Sequence, residues 1–174
     1  MKKIVILFFL SLHISLFAQT SQNVSLTLPS IALLDIAPNN TAFNLDMIAP
    51  TEAGNIIINS SSNSSKWINF TSAVATGITR RITAQVSGTL PNGVNLKLIT
   101  SSYVGSGAGI LGTSTGTIFL TGTAQTVVNN IGGAFTGDGS SNGYNLNYHL
   151  EIGDYSLLKS QTTTFTIIYT ILDN

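Results

Sequence analysis

The 174-residue chain has no cysteine, which excludes disulfides, thiolate metal sites, cysteine nucleophiles and a lipidated N-terminal cysteine. Charge is scarce as well, at 8% of residues. Of two histidines, His13 lies in the apolar N-terminal run, so His149 is the one left for chemistry. One histidine and no cysteine rarely assemble the three protein ligands of a catalytic zinc. After the N-terminus no apolar run approaches the roughly 20 residues that a membrane helix needs.

The N-terminus reads "MKKIVILFFLSLHISLFAQ": two lysines, an apolar stretch from Ile4 to Phe17, then Ala18 before a polar run. This order predicts a secretory signal peptide over residues 1–18, cleaved after Ala18. Residues 19–174 are then expected to form one domain of 156 residues, large enough to bury roughly 70% of its unfolded surface. No membrane span is expected after cleavage, and the setting is extracellular or the bacterial cell surface. The domain keeps five basic residues (Lys66, Arg80, Arg81, Lys97, Lys159) against seven acidic ones, a net charge of −2. Such a surface offers nucleic acid no electrostatic footprint. Serine, threonine and asparagine fill the place of charge, at 56 of the 156 positions.

What is present is a period of two. In "RITAQVS" Ile82, Ala84 and Val86 face one way; "VNLKLIT" repeats this with Val94, Leu96 and Leu98. "GYNLNYHLEI" sets Tyr144, Leu146, Tyr148, Leu150 and Ile152 against Asn145, Asn147, His149 and Glu151. Less regular runs begin at Asn23, Ile31, Ala42, Asn55, Lys66, Thr117 and Gln125. Turn-forming stretches such as "LPNG", "GSGAG", "GTSTG" and "TGDGSSNG" separate them. About ten short strands of this kind predict an all-β, antiparallel β-sandwich, immunoglobulin-like or jelly-roll-like, with a small β-barrel as the alternative. "SSSNSS" at 60 to 65 reads as a long hairpin loop, and Thr164 to Leu172 as a core strand blunted by Asp173 and Asn174.

The search for chemistry singles out few residues. His149 shares the polar face of its strand with Glu151, about 7 Å away, but no nucleophile turn of the G-x-S-x-G type accompanies them. A glycosidase needs two carboxylates facing each other across a cleft. The seven acidic residues are scattered, and nothing marks a pair. Asp138, Ser140 and Asn142 in "DGSSNG" match the opening half of a calcium loop, although the twelfth position is His149 instead of a glutamate. The same residues are ordinary turn formers. Among the aromatics, Tyr103 in a glycine-rich loop and Tyr155 in "GDYSLL" are expected to be exposed, while Trp67 suits either core or surface. These three are the candidate ligand-binding rings; no cofactor is expected.

"KWINFTS", "ITAQVSGTLPNGVNLKL", "GYNLNYHLEI" and "TTTFTIIYTILDN" together resemble exported bacterial β-sandwich domains of the pilin, spore-coat-U and WxL-like kind. The resemblance implies a non-catalytic surface subunit. It lacks the cysteine pair and penultimate tyrosine of particular pilin families, so no functional residue is carried over. Separately, Val24, Leu26 and Leu28 alternate within residues 19–28, before Pro29. Such a segment completes its own sheet or pairs with a neighbour's edge, and head-to-tail strand addition makes fibres. The functional readings are therefore a structural or adhesive surface protein, with self-association through residues 19–28, then a glycan-binding module, then a small exported enzyme. Partners are another copy, a glycan or a surface protein.

Overall fold

A computed structural model describes residues 19–58 and 62–174. The expected signal peptide at 1–18 lies outside the described residues, as does part of the serine-rich stretch.

Among the described residues eleven strands form two antiparallel sheets. They are β1 (Ile31–Ala37), β2 (Asn63–Ala73), β3 (Arg80–Ser87), β4 (Val94–Val104), β5 (Ala108–Gly109), β6 (Thr113–Ser114), β7 (Thr117–Leu120), β8 (Gln125–Ile131), β9 (Ala134–Phe135), β10 (Gly143–Ile152) and β11 (Thr166–Asp173). The larger sheet runs β5-β9-β2-β10-β4-β7, with β1 on the free side of β2; the smaller runs β11-β3-β8-β6. The two pack face to face as a sandwich, and no barrel closes.

Alternation decides the core where a strand has neighbours on both sides. Ile82, Ala84, Leu96, Leu98, Tyr144 and Leu146 have no exposed surface, as the period of two requires. Gly143 opens β10 in the left-handed region at φ 92°. A side chain there would run into the Ile68 carbonyl of β2, so glycine is what lets the two strands close.

One side of the sandwich is stitched shut. Thr115 N–H donates to Val127 in the smaller sheet at 3.0 Å, and Gly116 accepts from Thr100 in the larger at 2.9 Å, so the chain crosses between sheets in one step. Val86 N–H reaches Thr121 at 2.8 Å beside it. The opposite side is bounded by β1 and β11, each paired to a single neighbour. Arg80 ties them: its guanidinium donates to Asp173 Oδ1 at 2.8 Å, Ser30 Oγ at 2.8 Å, Ser72 Oγ at 3.3 Å and the Ile31 carbonyl.

Several expectations are corrected. Residues 23–28 form no strand and lie on no sheet: Val24, Leu26 and Leu28 are 85, 91 and 80% exposed. Among the described residues no strand pairs with them. The runs from Ala42 and Asn55 meet in one antiparallel bridge, Ile48 with Ile58, because Phe43 and Leu45 turn instead to the core, Phe43 against the Tyr148 ring at 4.8 Å. Residues 63–65 belong to β2 and not to a loop. The C-terminal run is a true strand but an edge one, and its inward residues Phe165, Ile167, Tyr169 and Ile171 are only half-buried.

Candidate functional site

The edge of β11 is regular. All eight residues pair with β3 without a register shift. Asn174 N–H donates to the Thr79 carbonyl at 2.9 Å, so by the antiparallel pattern the even-numbered residues bond β3, and the N–H and C=O groups of Ile167, Tyr169 and Ile171 face outward. Natural sheets blunt such edges with proline, lysine or a bulge. β11 carries none of these, and its one charge, Asp173, is already held by Arg80. β1 is less open as an edge, with Asp35 in its middle and Pro38 just beyond its end.

The three candidate rings are not brought together. Tyr103 pairs with Tyr144 at one end of β4. Its hydroxyl donates to the Thr136 carbonyl at 3.0 Å and accepts from Gly107 N–H, so the phenol braces a loop. Tyr155 begins a single 3-10 turn (Tyr155–Leu157) at the far end, just after Gly153 and Asp154, whose N–H groups both donate to Gly93. Some nine strand residues separate the two, roughly 30 Å. Tyr155 is 50% exposed, and its hydroxyl accepts from Ile57 N–H at 3.2 Å. Trp67 is half-buried on the outer face of β2, across from Ala37 and Asn145.

The Asp138 loop is held by its own amides. Asn142 Nδ2 donates to the Asp138 carbonyl at 2.7 Å while its Oδ1 accepts from Ser106 N–H at 3.2 Å. Asn69 of β2 clamps the loop from below, accepting from Gly139 N–H at 2.9 Å and donating to the Asn142 carbonyl. Ser140 is exposed. Among the described residues no three His, Asp or Glu side chains gather in one place. His149 lies opposite Lys97, which pairs with Glu151, and its Nε2 has no hydrogen-bond partner.

Among the hollows that the described residues form, two bear on ligand binding. One, of about 310 Å³ near Gly88, Leu90 and Phe119, carries no charged side chain. The other, of about 390 Å³, lies on the outer face between β1, β2 and β9 and includes Asp35 and Asp138. Sequence reasoning missed this groove, because only the register Leu33↔Thr71↔Phe135 brings its residues side by side.

No family model matches the chain, and neither a curated protein nor a solved structure does. Among the described residues no helix is long and apolar enough to cross a membrane.

Proposed function

We propose that this protein is a non-catalytic structural subunit, exported to the bacterial surface, that joins copies of itself by strand addition. The observation that carries the reading is the pairing of an unused segment with an unused edge. Residues 23–28 hold three apolar side chains out in solvent at alternating positions. β11 offers outward backbone groups above inward residues that remain half-covered. In this reading residues 23–28 of one copy lie along β11 of the next, and the contact is head-to-tail, so it propagates.

The magnitudes set the range. Burying three aliphatic side chains yields about 6 kcal/mol at roughly 2 kcal/mol each, similar to the lower estimates of the cost of association. Strand addition at a single edge is therefore weak unless copies are concentrated, as they are on a cell surface.

Light scattering on residues 19–174, over a wide concentration range, tests it. The full chain should form a ladder or filaments, while a version beginning at Pro29, and the full chain carrying Leu26→Asp, should remain folded monomers. A full chain that stays monomeric at every concentration removes the reading.

A further inference from the structure

We propose that the groove between β1, β2 and β9 is a saccharide subsite that takes one sugar ring between Leu33 and Phe135. The inference stands apart from self-assembly and uses none of its residues.

Leu33, Thr71 and Phe135 occupy one row across three adjacent strands, all on the outer face, with the apolar residues flanking the threonine. Two strand spacings separate Leu33 from Phe135, roughly 10 Å between Cα atoms. Side chains standing up from the sheet at that spacing leave a slot about one ring thick, with a hydroxyl at its floor. Leu33 is 64% and Phe135 49% exposed, so both walls are open to a ligand. Aromatic and aliphatic walls suit the C–H faces of a pyranose, and a polar floor and rim suit its hydroxyls.

The rim selects the sign of the ligand. Asp35 lies in the next row beside Asn69, and Asp138 is carried over the groove by the loop that Asn69 clamps. Asn69 spends its amide on that loop, so it positions Asp138 and does not itself reach out. No hydrogen bond or ion pair engages either carboxylate among the described residues, and no lysine or arginine lines the groove. The free polar groups are thus acceptors, apart from the Thr71 hydroxyl. They fit a ring rich in donors, either the hydroxyls of a neutral sugar or the ammonium of an amino sugar, and they repel a uronic acid. Both carboxylates are exposed.

Chemical-shift titration of the full chain tests the proposal, with maltotriose, glucosamine and galacturonic acid as probes. At millimolar concentrations maltotriose or glucosamine should shift the amides of Leu33, Thr71 and Phe135, and galacturonic acid should not. Phe135→Ala should weaken binding about tenfold or more, while Asp46→Asn, outside the groove, should leave it unchanged. If glucosamine alone binds, and Asp35→Asn or added salt abolishes it, the ammonium is the recognised donor; if maltotriose binds regardless of salt, the hydroxyls are. No shift in those amides with any probe, equal binding of galacturonic acid, or unaltered binding by a folded Phe135→Ala overturns the proposal.

Discussion

The hydroxyls of Tyr148 and Tyr169 meet at 2.7 Å between the two sheets, one from β10 and one from β11. Burial pushes the Tyr148 phenol up to about 12, offset in part by the hydrogen bond it shares with its partner. Tyr169 is held well above the usual value by burial, then by repulsion from Tyr148 and by the shared hydrogen bond. Tyr144, with no exposed surface, is raised to about 12 by burial and then by Tyr103.

These shifts predict an alkaline limit for the fold. In the unfolded chain the three phenols ionise near pH 10, and in the native state they stay neutral above it. For each tyrosine the stabilisation is therefore fully present below about pH 10 and is lost at about 1.4 kcal/mol per pH unit as pH rises above it, toward about 12 for Tyr144 and Tyr148. The unfolding free energy from urea titrations should be flat from about pH 7 to 9 and then fall steeply, at about 4 kcal/mol per unit above about pH 10, with tyrosinate absorbance appearing together with unfolding. Tyr148→Phe should remove about a third of that slope. Gradual phenol ionisation in a chain that stays folded contradicts the burial argument.

Arg80 closes the same open side by a different means. Its guanidinium is buried and serves four acceptors on three segments, whereas Asp173 is 63% exposed. The two ends of the ion pair should thus be unequal. Arg80→Met leaves Ser72 and the Ile31 carbonyl without a donor and should cost about 2 to 4 kcal/mol. Asp173→Asn should cost under about 1 kcal/mol. Urea denaturation gives the ranking, and faster amide exchange through β1 in Arg80→Met would locate the loss. Equal costs for the two variants would mean that the surface ion pair, not the buried set of hydrogen bonds, is what matters.

The alternation made β3, β4 and β10 legible, because each is flanked on both sides and a one-residue slip would turn Ile82, Leu96 or Tyr144 out of the core. The sandwich followed from those strands and the turn stretches between them. Pairing was not legible. Residues 23–28 alternate as cleanly as β3 yet have no strand beside them, and β11 looks central from its composition but ends the sheet. Alternation reports that one face is apolar, not that a neighbour exists. The strands β5, β6 and β9, two residues each, sit among glycines where no period can be read. Of the candidate site residues, Asp138 does line the groove, but Leu33, Asp35 and Phe135 meet it only through register, which no single run encodes.

Lys66 breaks the alternation most sharply. It faces the interior with Ile68 and Phe70 and is 6% exposed, in a position where the period of two calls for an apolar side chain. Among the described residues no carboxylate meets it. Its ammonium donates to the Asn39 carbonyl at 2.9 Å and to Asn39 Oδ1 at 3.0 Å, so one asparagine in the segment after β1 solvates a buried cation. Desolvating an ammonium is expensive and neutral oxygens offset only part of the cost. Removing the charge and removing its partner should therefore have opposite consequences. Lys66→Met keeps the length and apolar stem, gives up the ion, and should be neutral or stabilising by about 1 kcal/mol. Asn39→Ala leaves the cation with one acceptor and should cost about 1 to 3 kcal/mol. In the double variant the Asn39→Ala penalty should shrink to what Thr41 loses, since its N–H and hydroxyl also donate to Asn39 Oδ1, at 3.2 and 2.6 Å. Thermal or urea unfolding of the four proteins closes the cycle. A Lys66→Met variant that loses as much stability as Asn39→Ala would show instead that the lysine holds the segment after β1 in place.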